Sequence, residues 1–174
     1  MRNTLMAIIA VFFIVTGCSS TPRTSKPVDL DAAIRGASSY LNEKIPKGSL
    51  VVILNIQSDS SALSEYIIDE LVANAVNGKV LKVVDRQQLD LIRAEQKFQW
   101  SGEVNDKTAL EIGKFFGAQT IVSGKVAQMG KSYRMTIRAL EVQTAQVQGL
   151  YNRNIRAKKT IMELMKSGGG ARRH

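Results

Sequence analysis

Residues 49–57 read Ser-Leu-Val-Val-Ile-Leu-Asn-Ile-Gln, a run that is apolar on both of its alternating faces. Successive side chains of a strand point to opposite sides of its sheet, so this segment has to bury both. It belongs in the middle of a sheet covered on two sides.

The flanking segments supply the covers. Residues 29–45 place Leu30, Ala33, Ile34, Ala37, Leu41 and Ile45 on one helical face, and Pro46 stops them. Residues 61–77 carry Leu63, Ile67, Leu71 and Ala75 along one stripe and end at Asn77-Gly78, where glycine suits a left-handed cap. Residues 80–84 read as a second buried strand. Asp85 with Gln88 has the spacing of a capping box, and Leu89, Ile92 and Gln96 continue the helix it opens. After a polar loop around Trp100, Ser101 and Gly102, residues 106–116 carry Ala109, Ile112, Gly113 and Phe116 at helical spacing and stop at Gly117. Gly113 there allows close packing.

Residues 119–129, 133–142 and 147–155 are three strands joined by turns at Gly130-Lys131 and 143–146, which makes an antiparallel meander. Thr160 with Glu163 reads as a capping box for a last helix bearing Ile161, Leu164 and Met165. The expected fold is a single-domain α/β sandwich. Its mixed sheet has about five strands, with helices packed on it and the antiparallel meander at the C-terminal side.

The N-terminus has a different character. Arg2 precedes an apolar run over residues 5–15, the pattern of a signal peptide, and the run is shorter than the roughly 20 residues that span a bilayer. It ends in Val15-Thr16-Gly17-Cys18, which resembles the bacterial lipobox. That resemblance implies a diacylglycerol thioether on Cys18, cleavage before it, and fatty acyl chains such as palmitate holding the new N-terminus to a membrane. Cys18 is the only cysteine, so no second thiol pairs with it. Ser19 rather than Asp follows it, which by resemblance to Gram-negative sorting signals favours the outer membrane. The expected organisation is a signal peptide over 1–17, a lipid-anchored tether over 18–28, a folded domain over 29–166 and a disordered basic tail over 167–174. Ten extended residues reach about 35 Å, so the domain stays near its membrane.

Charge is unevenly placed. Residues 18–124 hold 12 basic and 13 acidic side chains, whereas residues 125–174 hold 11 basic and 2 acidic. For an exported protein the partners of that basic third are phospholipid head groups, acidic polysaccharide or other proteins, and no nucleic acid is expected. Arg134 and Arg138 are an even number of residues apart and share one face of their strand, with Tyr133, Met135 and Ile137 on the other. Arg156, Lys158 and Lys159 follow where the last strand leaves the sheet. These five cations are candidate contacts for an acidic partner or an anionic membrane, and a solvated outer face is the alternative. Trp100, the sole tryptophan, is a candidate partner contact or an anchor for its own loop.

Catalytic constellations are scarce. The only histidine, His174, is the last residue, and the only cysteine is the acylation candidate, so no histidine-based triad, thiol nucleophile or Cys/His zinc site is expected. Asp59-Ser60-Ser61 lies where the first strand passes into a helix, a frequent ligand position in α/β sheets, but its residues also suit a turn and helix cap. Glu95 and Glu103 are a possible carboxylate pair, or solvated. No cofactor or metal is called for, and the chain is not expected to be an enzyme.

Asp85-Arg86, Leu89, Ile92, Glu95-Gln96, Ser101-Gly102-Glu103-Val104, Gly113-Lys114, Gly117-Ala118 and Ile121-Val122-Ser123-Gly124 together resemble the family of the curli secretion lipoprotein CsgG and the penicillin-binding-protein activator LpoB. The resemblance runs from about residue 30 to 157. It implies a non-enzymatic, periplasm-facing domain that works through other envelope proteins. One expectation is a regulator of an envelope enzyme such as a peptidoglycan synthase, a penicillin-binding protein. The other is a subunit of a CsgG-like secretion or assembly complex, in which copies form a homo-oligomeric ring. The short tether departs from the long linker of LpoB-like proteins, and no long membrane-inserting hairpin is evident.

Overall fold

The computed structural model describes residues 26–95 and 105–167. In chain order its elements are α1 (Leu30–Lys44), β1 (Leu50–Gln57), α2 (Ser61–Gly78), β2 (Lys82–Val83), α3 (Arg86–Glu95), α4 (Asp106–Phe115), β3 (Thr120–Met129), β4 (Ser132–Glu141), β5 (Val147–Arg156) and α5 (Lys159–Ser167). The strands form one mixed sheet in the order β2-β1-β3-β4-β5. β1 runs parallel to β2 and β3, and β3, β4 and β5 form the antiparallel meander. This is the expected five-stranded α/β sandwich.

β1 shows why its sequence has no polar face. Val51, Ile53 and Ile56 enter a core with Ile34, Leu41, Leu63, Ile67 and Leu71 of α1 and α2. Val52 and Leu54 enter a second core with Leu89 of α3, Ala109 and Ile112 of α4, and Ile121, Leu140 and Val142. The register of β1 on β3 shifts between Ile53 and Asn55, so Leu54 is an extra residue. That bulge re-aims the chain: Ile56 goes to the first core and Asn55 and Gln57 to the opposite side.

Two glycines permit close approach, Gly113 between α4 and the sheet and Gly124 between neighbouring strands. A Cβ on Gly113 of α4 would stand 2.6 Å from Cγ2 of Val142 and 3.0 Å from Cδ1 of Ile121, so glycine brings α4 down onto the sheet as its spacing predicts. A Cβ on Gly124 would stand 2.4 Å from the carbonyl oxygen of Thr136.

Four local expectations are corrected. α2 keeps Gly78 as its last helical residue, and the left-handed cap falls on Lys79, φ 52°. An exposed lysine tolerates that region at about 1–2 kcal/mol, so glycine was not required there. The strand expected over 80–84 contracts to Lys82–Val83 because it is an edge; Lys82 is exposed, and Asp85 already turns the chain into α3. At that start Asp85 Oδ1 accepts from the Gln87 amide at 3.0 Å, not from the Gln88 amide that the capping box predicts. Finally, α5 opens at Lys159, which puts Thr160 inside the first turn; the Met162 amide donates to the Lys158 carbonyl at 3.1 Å, so Lys158 is the cap.

α5 closes the first core. Ile161 is buried, Leu164 and Met165 pack beside it, and the Ser60 hydroxyl donates to the Leu164 carbonyl. The residue two before α1 is drawn in as well: the Val28 amide donates to the Asn154 carbonyl at 3.0 Å and the Val28 carbonyl accepts from the Arg156 amide at 2.8 Å. Val28 thus adds a one-residue bridge, parallel, to the outer edge of β5.

Candidate interaction surface

The helices cover the two sides of the sheet unequally. α1, α2 and α5 lie over one side. On the other, α3 and α4 cover Val52, Leu54, Ile121, Leu140 and Val142, and the cover ends there. Beyond it, toward the Gln57 end of β1, the same face turns polar.

The uncovered half is a shallow groove of about 570 Å³ that crosses the sheet from Asn55 and Gln57 of β1 through Ser123 and Lys125 of β3 to Thr136 and Arg138 of β4 and Leu150 of β5. Cross-strand register explains the set: Asn55 stands beside Ser123, Ser123 opposite Arg138, and Arg138 opposite Leu150. The polar side chains bond to each other across strands. Thr136 Oγ1 donates to Asn152 Oδ1 at 2.8 Å, and Arg134 Nε donates to Asn154 Oδ1 at 3.1 Å. Such pairs hold a half-exposed face in one arrangement.

The first turn of α4 forms the rim. Asn105 caps the helix by accepting from the Thr108 amide at 2.9 Å, and Asp106 grips Arg138, whose Nη1 lies 3.2 Å from Asp106 Oδ2 and whose Nη2 bonds Oδ1. A carboxylate in a first turn is favoured by the helix dipole, and the two-pronged geometry fixes the guanidinium plane. The groove is therefore a preformed floor of amides and hydroxyls, with Lys125 and the Arg138–Asp106 pair as its charges and Leu150, 50% exposed, as its apolar member.

The five candidate cations fall into two groups. Arg134 and Arg138 share the open face as predicted, with Met135 and Ile137 fully buried opposite them. Arg156, Lys158 and Lys159 lie at the end of β5 and the start of α5, and each meets a carboxylate. Lys158 Nζ stands 2.8 Å from Asp29 Oδ2, Arg156 Nη1 is 3.8 Å from Asp29 Oδ1, and Lys159 Nζ is 3.7 Å from Glu163. The Lys158 hydrogen bond holds the Asp29 carboxyl below the usual carboxylate range. Sequence parity identified the first group; nothing local in the sequence signalled Asp29, 129 residues from its partner.

Asp59-Ser60-Ser61 is a helix start, with Ser60 Oγ accepting from the Leu63 amide at 3.3 Å and Ser58 Oγ bonded to Ser64 Oγ at 2.9 Å. Among the described residues no group of three or more His, Cys, Asp or Glu side chains is placed to hold a metal. Cys18, Trp100, Glu103 and the tail 168–174 lie outside the described residues, as does the Glu95 side chain.

Residues 47–138, more than half of the chain, match the family model for the curli production assembly/transport component CsgG. No curated protein matches by sequence. Among solved structures, the LpoB C-terminal domain from Escherichia coli superposes with a TM-score of 0.62 at 15% identity, covering 72% of this chain and 96% of that domain. The LpoB C-terminal domain from Salmonella enterica gives 0.59 at 13% identity, covering 74% and 96%. The NMR structure of E. coli LpoB gives 0.57 at 14% identity, covering 90% of this chain and 83% of that one. At such identities the likeness is one of fold.

Proposed function

Because this chain belongs to the CsgG family, we propose that it is a lipid-anchored, periplasm-facing lipoprotein of the outer membrane that acts by binding another envelope protein and has no catalysis of its own. In this reading residues 1–17 are removed, Cys18 carries the lipid, 18–28 tether the domain, 29–166 form it and 167–174 are a basic tail. The partner is an envelope enzyme, a peptidoglycan synthase of the penicillin-binding-protein class, and the outcome of binding is a higher rate of that enzyme.

The observation that carries the proposal is the uncovered half of the sheet. A polar, cross-bonded face with one exposed leucine and an arginine held by Asp106 has the make-up of an interaction surface. Trp100 is proposed as a further partner contact because tryptophan is enriched among interface hot spots. The LpoB-like fold supports the choice of partner.

The test is glycan-strand polymerisation by a purified synthase with and without the mature protein. A several-fold rise that needs direct binding is expected; an unchanged rate with no binding would overturn the choice of partner. Mass spectrometry of the mature N-terminus, together with membrane release of a Cys18→Ser variant, tests the anchor separately. The family description favours a second reading, a subunit of a multi-copy secretion or assembly complex. The particle mass in detergent separates the two, since a ring requires many copies and an activator works as one.

A further inference from the structure

We infer that the end of the sheet formed by the β3–β4 hairpin and the β5–α5 junction docks on an anionic lipid bilayer and so sets which way the open face points. The inference rests on the lipid-anchor reading for how the domain is delivered to the membrane, and on geometry for which end arrives.

The chain that leads back to Cys18 leaves the domain at Val28, which is hydrogen-bonded between Asn154 and Arg156 at the outer edge of β5. Ten residue steps lead from Cys18 to Val28, a reach of about 35 Å when fully extended. Only this end of the domain rests near the bilayer without stretching the tether. Register identifies its neighbours: Ser132 stands opposite Arg156 on one side and Met129 on the other, so the hairpin tip lies beside the tether exit.

Its chemistry fits lipid. Lys131, Arg134, Arg156, Lys158 and Lys159 are all exposed there, and Met129 at the tip is 52% exposed. Neither 125–140 nor 147–159 contains an acidic residue, and Glu141 stands opposite Thr120 at the far end of the sheet. The carboxylates near the tether exit lie in the helical layer: Asp29, Asp31 and Asp59 at the starts of α1 and α2, and Glu163 in α5, 3.7 Å from Lys159. Asp29 serves both Arg156 and Lys158. The hairpin and the end of β5 therefore present cations around one apolar tip, the pattern that adsorbs to anionic head groups within a Debye length of about 8 Å. With this end down, the open face stands at right angles to the bilayer and stays free for a protein.

The experiment uses the full mature chain carrying Cys18→Ser, so binding does not depend on acylation. Co-sedimentation is measured with phosphatidylglycerol-containing and with phosphatidylcholine vesicles, at low and high salt. One variant carries Lys131→Glu, Arg134→Glu and Lys159→Glu. A control carries Lys47→Glu, Lys82→Glu and Lys114→Glu, the same charge change at the other end of the sheet, and circular dichroism checks that both fold. Expected is salt-sensitive binding to anionic vesicles only, kept by the control and weakened on the order of a hundredfold in the first variant. Equal loss in both variants would reduce the effect to net charge and overturn the docking end. Absence of any preference for anionic vesicles would overturn the bilayer as the occupant and leave these cations to an acidic protein. Either result leaves the acylation measurement at Cys18 untouched, so the two readings fail separately.

Discussion

Asp29 and Lys158 are 129 residues apart in sequence and 2.8 Å apart in the fold, Lys158 Nζ donating to Asp29 Oδ2. The contact ties the residue before α1 to the residue before α5, on either side of the edge where Val28 joins β5. A chain that enters and closes at one edge needs such a fastening, because a single parallel bridge at Val28 fixes little by itself.

Asp29→Asn should loosen this fastening in a pH-dependent way. The carboxyl is held below its usual range by Lys158, so its contribution is present above the unfolded value near 3.8 and is lost as pH falls through the lower folded value. The side chain is about half exposed at 48%, and a small fall in Tm is expected at neutral pH. Thermal melts from pH 7 down to pH 2 check it. A difference between variant and parent that persists undiminished at pH 2 would show that the ion pair is not its source.

Leu54 is the extra residue of the β1 bulge and is 1% exposed in the core under α3 and α4. Leu54→Ala should cost about 2–5 kcal/mol by urea titration, since a cavity forms where strand and helices have little freedom to collapse. Leu54→Asp should abolish cooperative folding by burying an unpaired charge. A soluble, cooperatively unfolding aspartate variant would mean that this position is not core.

How far the sequence carries the reader depends on the range of the forces involved. The alternation of Val51 to Leu54 exposed both cores of the sheet, and the parity of Arg134 and Arg138 placed them on one face. α2 ends one residue beyond the point its pattern predicts, since exposed Lys79 takes the left-handed cap that suits Gly78. β2 is shorter than its pattern predicts, because the apolar residues Val80 and Leu81 do not reveal that the strand lies at an edge. The open groove was not legible at all. It depends on the bulge at Leu54, which turns Asn55 and Gln57 outward, and on where α4 stops covering the sheet.

Gly113→Ala opposes two effects whose sizes decide the outcome. Alanine is the better helix former by about 0.8–1.0 kcal/mol, but its Cβ would stand 2.6 Å from Val142 Cγ2, a branched side chain with little room to retreat. Overpacking of this kind costs about 1–3 kcal/mol. A net loss of about 1 kcal/mol is expected in equilibrium unfolding, growing further with Gly113→Val. Stabilisation by alanine would show that α4 rides higher over the sheet than these distances place it.

The open face gives the prediction that separates binding from folding. Leu150 is half exposed, and Arg138 meets Asp106 at the surface, where ion pairs contribute about 0–1 kcal/mol. Arg138→Ala and Leu150→Asp should therefore leave unfolding midpoints almost unchanged. Their effect on a protein partner should be much larger. An arginine whose plane is already fixed by a carboxylate gives up little freedom on contact, and an exposed leucine beside it is the apolar surface that association buries. Losing a contact of hot-spot strength, about 2 kcal/mol, weakens affinity roughly thirtyfold. The measurement pairs urea titration of each variant with its affinity for the partner recovered from envelope extract. Two variants that fold normally and bind that partner as tightly as the parent would remove this face from the interaction, whatever the partner proves to be.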